Sequence, residues 1–268
     1  MAIGRCGHEL EAQCEALNLL SAVAPARVAE RIPSMLAHGK AGVGDWTLES
    51  RLRGAPAPVR PAGALLDECV DFLVALHTAV PGRSDERTIS ANADVVAGVC
   101  AHEQASELRR LAERLERRLA DLPRGFAHGD FWGRNLLVDS ERLVGVLDWA
   151  GAGTGRLPLL DLLHLHVSAT RWTRNLDLGP VLVKEFLPWA RAGADPSVRA
   201  YCQRLGLHVT RSELESLVVA YWLGRVAHEL KTTRHRDQPA WLRRNVLEVL
   251  GDVAAHGPGS NLARPTFR

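Results

Sequence analysis

Leu10, Cys14, Leu17 and Leu20 recur at three- and four-residue spacing with Glu11 and Glu15 between them, which predicts a short amphipathic helix over residues 9–20. After Pro33, residues 34–38 and 46–52 read as two short strands separated by the turn-rich HGKAGVGD. The segment Gly54-Ala55-Pro56-Ala57-Pro58 is a stiff connection and the natural boundary between a small first lobe, residues 1–54, and a remainder, 55–268. Helical spacing then dominates. One helix is expected over 61–80, with proline at its start, and a longer one within 91–122. There Leu108, Leu111, Leu115 and Leu119 form a stripe that is too short for a coiled coil before Pro123, and so belongs to a core. Further helical patterns fall at 157–170, 178–191, 211–231 and 239–254, and no internal repeat interrupts them.

One stretch breaks the helical rhythm: FAHGDFWGRNLLVDSERLVGVLDWAG, residues 126–151. Residues 136–138 and 143–147 are strand-like and 139–142 form a polar turn, so Asn135 and Asp148 stand at the open ends of a hairpin, where antiparallel pairing brings them together. A hard cation such as Mg2+ takes oxygen ligands, commonly one or two from the protein, with water and substrate phosphates completing the shell. Asp148 and the amide oxygen of Asn135 supply that pair. Asp130, on the preceding loop, then faces the same site and can orient an attacking hydroxyl and accept its proton. Turn and cap preferences explain Asp or Asn at any one of these positions, but not the joint spacing.

Composition narrows the setting. A chain of 268 residues buries a substantial core without staples, as one large domain or two lobes. The formal charge of +2 suggests neither a nucleic-acid partner nor a membrane surface. Five scattered cysteines without a C-x-x-C pair fit free thiols in a reducing cytoplasm, and neither a membrane span nor a signal peptide is visible. Charge is unevenly divided: 17 Lys/Arg face 21 Asp/Glu up to residue 150, and 16 face 10 afterwards.

The pattern H-G-D-x-x-x-x-N-L-L-V followed by V-L-D-W resembles the catalytic core of the aminoglycoside phosphotransferase and choline kinase group, small-molecule relatives of the protein kinases. The resemblance implies an α+β, two-lobed kinase-like fold with a mainly helical second lobe. It also implies an ATP-dependent transfer (or one from another nucleoside triphosphate) to a hydroxyl of a small molecule, with Mg2+ as cofactor. Carried over residue by residue, Asp130 becomes the catalytic base, Asn135 and Asp148 the metal ligands, and His128 a loop-shaping residue. Leu76-His77 with Pro81 looks like the family's L-H-x-x-x-P helix end. Residues 46–54, Glu49 among them, look like the hinge strand that passes the adenine. The segment 157–162 looks like the P-x-x-D-L helix start, with Asp161 bracing the metal-binding loop. Glu15 is placed like the helix Glu that pairs with a phosphate-binding Lys, with Glu11 as the fallback.

The likeness is incomplete at its start. Only 14 residues precede Glu15, and Lys40, Lys184 and Lys231 all follow it, so the nucleotide lobe is expected to be shortened. Arg5 is one candidate to stand in part for the Lys, being a permanent cation that binds phosphate without copying an ammonium's geometry, but it cannot supply the missing strands. A non-catalytic module that has lost the nucleotide clamp is therefore the competing expectation. Among the remaining candidates, His164 and His166 are expected to be packing residues, and Lys231, Arg234, Arg236, Arg243 and Arg244 a solvated helix face. Trp132 and Trp149 flank the site as substrate-stacking or core residues. The basic excess after residue 150 argues for a neutral or anionic acceptor over a polycationic one.

Overall fold

The structure, a computed structural model, describes residues 7–42, 44–82, 88–193, 195–232, 235 and 238–257. Helix α1 spans Gly7–Val23 and a single turn, α2, spans Ala26–Ala29. Strands β1 (Met35–Ala41), β2 (Gly44–Glu49) and β3 (Ala55–Pro56) follow, then helices α3 (Gly63–Ala79), α4 (Thr88–Ala97) and α5 (His102–Arg118). Strands β4 (Gly125–Ala127), β5 (Leu136–Asp139), β6 (Arg142–Val146) and β7 (Gly153–Arg156) carry the motif-bearing stretch. The rest is helical: α6 (Leu160–Arg174), α7 (Leu178–Val181), α8 (Leu187–Ala192), α9 (Pro196–Leu205), α10 (Arg211–Thr232), α11 (Pro239–Leu242) and α12 (Glu248–His256). Two π-helical turns, Leu182–Phe186 and Arg243–Leu247, join α7 to α8 and α11 to α12.

Two compact units are built from interleaved segments. The first takes the chain up to residue 85 together with Leu122–Thr173 and Asp195–His208. In it, α1 turns Leu10, Leu17 and Leu20 inward and leaves Glu11, Glu15 and Asn18 exposed, which is the amphipathic division expected of it. Its inner face packs on β2 and on the Trp149–Gly151 turn. Strands β1 and β2 form a two-stranded antiparallel hairpin with Gly39 opposite Trp46. The second strand stops at Glu49, short of the 46–52 expected, and residues up to Arg53 continue without a ladder partner. Helix α3 buries Cys69, Val70, Phe72, Leu73, Val74, Ala75 and Leu76, nearly all round, as a helix enclosed by its unit must.

The strands that position the site are short. β3 adds to β5, and β5 pairs antiparallel with β6, giving the order β3-β5-β6. The β5–β6 turn places Ser140 and Glu141 at φ of 50° and 65°, the left-handed pair that a tight two-residue hairpin needs. Strand β4, leading into the motif, pairs antiparallel with β7, leading out, through Ala127 opposite Gly153. That ladder draws the two ends of the 126–151 stretch together and holds it as one closed loop bearing the hairpin.

The second unit takes Glu86–Asp121, Arg174–Ala194 and the chain from Val209 onward. The single helix expected within 91–122 is two, α4 and α5, because Gly98 and the residues up to Ala101 break the spiral between them. Leu108, Leu111 and Leu115 line the buried face of α5, and α10 is the central element, burying Leu214, Leu217, Trp222, Leu223 and Val226. Arg191 on α8 ties this unit together. Its Nε donates to Glu215 Oε1 at 2.7 Å and its Nη2 to Asp252 Oδ2 at 2.8 Å, joining α8, α10 and α12.

Candidate active site

The site begins where β4 ends. His128 is fully buried, its ring edge-on to Trp149 at 4.5 Å and to Phe131 at 6.0 Å. Its Nε2 lies 3.0 Å from the Leu147 carbonyl, and its Nδ1 accepts the Asp130 backbone N–H at 3.2 Å. Those partners assign the neutral tautomer with the proton on Nε2. Burial pushes the imidazole pKa below its ordinary value; the nearby Asp161, Asp130 and Asp148 carboxylates and the Leu147 carbonyl pull the other way. His128 is thus a neutral linker between the loop that carries Asp130 and the strand end that precedes Asp148.

Asp161, at the start of α6, accepts two backbone hydrogen bonds: His128 N–H to Oδ2 at 2.7 Å and Gly129 N–H to Oδ1 at 2.8 Å. It therefore braces the His128–Gly129 turn, whereas the expected brace was to the segment around Asp148. Gly129 itself has φ of 80°, and a Cβ there would lie 2.1 Å from the Gly151 carbonyl oxygen. Only glycine lets these two loops touch backbone to backbone.

Asp130 is clamped at both oxygens. Asn135 Nδ2 donates to Asp130 Oδ2 at 3.0 Å and to the Asp130 carbonyl at 2.9 Å, while His164 Nε2 stands 3.0 Å from Oδ1. About a third of the Asp130 side chain remains exposed (34%), enough for a reacting group to reach it. With Nδ2 engaged, the Oδ1 atom of Asn135 is the amide atom that can face a cation. The backbone of Asn135 accepts the Leu147 N–H at 2.8 Å, so Asp148, the next residue, emerges beside it. Asp148 adopts φ 66° and ψ 72°, a left-handed conformation unusual for a side-chain-bearing residue but tolerated by Asp and Asn. It is half-buried and opens the Trp149–Gly151 turn.

The structure therefore brings His128, Asp130, Asn135 and Asp161 together and sets Asp148 next to Asn135. Among the described residues, no hydrogen bond or ion pair links Glu15 or Glu49 to them. Glu15 and Glu11 lie on the exposed face of α1. The buried Gln13 of α1 reaches β2, its Nε2 donating to Glu49 Oε1; Thr47 Oγ1 lies 3.4 Å from the same oxygen. Lys40 reaches Asp45 across the β1–β2 hairpin at 3.9 Å. Arg5, Arg234 and Arg236 lie outside the described residues; Arg244 pairs with Asp177 at 2.7 Å and Arg243 faces Glu248 at 3.8 Å.

Two aromatic candidates separate. Trp149 is fully buried with Nε1 donating to the Val146 carbonyl at 2.9 Å, and is a core residue. Trp132 is half-buried and faces Trp172 at 6.0 Å. His164, expected to be simple packing, is the site residue that pattern reading missed. It sits three positions after Asp161, one turn on along α6, and so turns toward the same loop; that spacing was the available signal.

Among the described residues no three His, Cys, Asp or Glu side chains gather as a metal cluster. The donor set at hand, one amide oxygen and one carboxylate, is the hard, sparse kind that suits Mg2+ held jointly with substrate phosphates. No described helix is long and apolar enough to cross a membrane.

Residues 5–201 match the family model described as the phosphotransferase enzyme family, APH. No curated protein sequence matches the chain. Among solved structures, an apo thermostable mutant of aminoglycoside phosphotransferase APH(4)-Ia aligns with a TM-score of 0.58 at 18% identity, over 94% of this chain and 86% of that one. The GDP and kanamycin complex of APH(2'')-IIIa gives 0.59 at 17%, over 93% and 83%. APH(3'')-Id from Streptomyces rimosus gives 0.52 at 21%, over 81% of each chain. At these identities the structural likeness establishes the fold, and with the family match over most of the chain the conclusion is direct: this protein belongs to the APH phosphotransferase family and has its kinase-like fold.

Proposed function

We propose that the protein transfers the terminal phosphoryl group of ATP, or of another nucleoside triphosphate, to a hydroxyl of a small molecule. The observation that carries this reading is the two-sided clamp on Asp130 by Asn135 and His164, which leaves a partly exposed carboxylate aimed where a hydroxyl can meet it. In the transfer, Asp130 orients the acceptor hydroxyl and takes its proton as the acceptor oxygen bonds to the γ-phosphorus. The bond from that phosphorus to the bridging oxygen breaks, and the nucleoside diphosphate leaves. Asn135 Oδ1 and the Asp148 carboxylate would hold Mg2+, which when bound supplies charge neutralisation at the phosphates. His128 and Asp161 keep the loop rigid, so little reorganisation is needed as charge develops. Solved relatives in complex with ADP and streptomycin, and with GDP and kanamycin, support nucleotide use in this fold.

The two lobes of the proposal are residues 1–54 for the nucleotide and 55–268 for the acceptor and catalysis, with Glu49 on the hinge and action in the cytoplasm. A second reading, a non-catalytic binding module, is favoured by one specific observation: Gln13 is the α1 side chain that donates to Glu49 on β2, while Glu15 is exposed. Calorimetric titration of the chain with ATP and MgCl2, with Asp148→Asn alongside, decides between them. Metal-dependent binding lost in the variant, together with turnover lost in Asp130→Ala, is the expected result. A folded wild-type chain that binds no nucleotide would leave the non-catalytic reading standing.

A further inference from the structure

Helix α6 carries a stripe of three residues, His164, Ser168 and Trp172, at four-residue spacing. The first meets Asp130, and the Ser168 hydroxyl lies 3.2 Å from His164 Nε2. The third ends about 12 Å farther along the axis, at 1.5 Å per residue. Trp172 is 54% exposed, unusual for so large an apolar side chain. It is not isolated. The guanidinium of Arg134 lies over its ring at 4.8 Å and over the Trp132 ring at 5.7 Å, and the two indoles are 6.0 Å apart. Trp132 and Arg134 come from the turn between Asp130 and Asn135, so the cluster adjoins the reacting carboxylate. Among the described residues no carboxylate pairs with Arg134; its guanidinium stands against the two rings.

We infer that Trp132, Arg134 and Trp172 form the acceptor subsite, and that it takes a flat-faced, ring-bearing alcohol carrying a carboxylate or another anionic group. The inference rests on the phosphotransferase reading for its name as an acceptor site, but its binding chemistry stands without it. Indole faces hold the ring by apolar contact, while the exposed edge of the guanidinium offers a fork of donors to an anion. The stripe sets the reach: a one- or two-ring body fits between Trp172 and a hydroxyl held at Asp130. The same guanidinium opposes an ammonium group. Two like charges about 4 Å apart in water disfavour each other by about fivefold in affinity, and by more where water is excluded. A polycationic acceptor therefore meets a penalty here for each amine brought to the cluster.

The test is tryptophan-fluorescence titration of the full chain, without nucleotide, by three probes of one shape: phenyl β-D-glucuronide, phenyl β-D-glucopyranoside and phenyl 2-amino-2-deoxy-β-D-glucopyranoside. The expected order of affinity is anionic, neutral, cationic, each step about fivefold. Trp172→Ala, an exposed change that leaves the core intact, should weaken the anionic and neutral probes by about tenfold. Arg134→Gln should erase the differences among the three. Equal or tighter binding of the amino sugar, indifference to Trp172→Ala, or no binding of any probe by the folded chain would each overturn the subsite. Phosphate transfer from ATP is measured separately. Probe binding in the expected order without transfer to any acceptor counts against the phosphotransferase reading alone, and transfer that ignores Trp172→Ala counts against the subsite alone.

Discussion

His164 Nε2 stands 3.0 Å from Asp130 Oδ1, although 34 residues separate the two in sequence. With Asn135 holding the other oxygen, the carboxylate is confined to one orientation, and His164, which is buried, is the partner that comes from a different element. Misorienting a reacting group by an ångström costs up to about a hundredfold in rate. His164→Phe should therefore lower kcat by about ten- to a hundredfold while leaving the KM for nucleotide near the wild-type value. His164→Gln, which keeps a donor, should recover part of the loss. Steady-state kinetics with both substrates varied tests this; a rise in KM with kcat intact would assign His164 to binding instead.

Asp161 accepts two backbone N–H groups at once, the buried one of His128 and the partly exposed one of Gly129. Leaving a buried N–H unpaired costs about 1–3 kcal/mol. Asp161→Ala should thus cost about 2 kcal/mol and lower the melting temperature by roughly 4–8 °C for a chain of this size. Asp161→Asn retains one acceptor and should lose about half as much. Thermal denaturation followed by circular dichroism measures both, and an unchanged midpoint in the alanine variant would remove Asp161 from the loop's support.

What the sequence made legible was local. Asp130 and Asn135 are five residues apart and Asn135 and Asp148 are joined by a hairpin with clean strand chemistry, so spacing alone places them. Contacts across the chain were not legible. The β4–β7 ladder involves strands of three and four residues, too short to show a period of two. Helix α9 buries little beyond Val198 and Tyr201, so its apolar pattern is faint; its clearest mark is the Asp195 cap, which accepts from Ser197 and Val198 N–H. The Gln13–Glu49 contact joins positions 36 apart, and no periodicity announces which face of α1 will meet β2.

Acid should weaken the fold below neutral pH. His77, His128 and His166 all have pKa values pushed down by burial, so the native chain holds them neutral while the unfolded chain titrates them near 6.5. Their contribution is complete above the unfolded value. It falls away as pH drops below about 6.5, because the unfolded state takes up protons that the native state refuses. Each can add a slope of up to about 1.4 kcal/mol per pH unit in that window. Urea denaturation at pH 7.5, 6.5 and 5.5 should show a steepening loss; His166→Gln, which keeps a partner for the Ser197 hydroxyl 2.9 Å away, should flatten it. A flat profile in wild type would mean the native state admits the protons.

Asp148 offers the sharpest separation of fold from function. Its left-handed backbone, φ 66° and ψ 72°, is tolerated by Asn about as well as by Asp and resisted by residues with bulkier side chains, at about 1–2 kcal/mol. The carboxylate, by contrast, is the one feature Asn cannot supply. Asp148→Asn should accordingly melt within a degree or two of wild type, while Asp148→Leu should lose several degrees through backbone strain. If the carboxylate holds Mg2+, both variants should lose the metal-dependent part of ATP binding equally, since neither presents the charge. Melting curves and calorimetry on the same two preparations decide it. Loss of metal dependence in Asp148→Leu alone would trace the effect to the distorted loop, and retention in both would exclude Asp148 as a ligand.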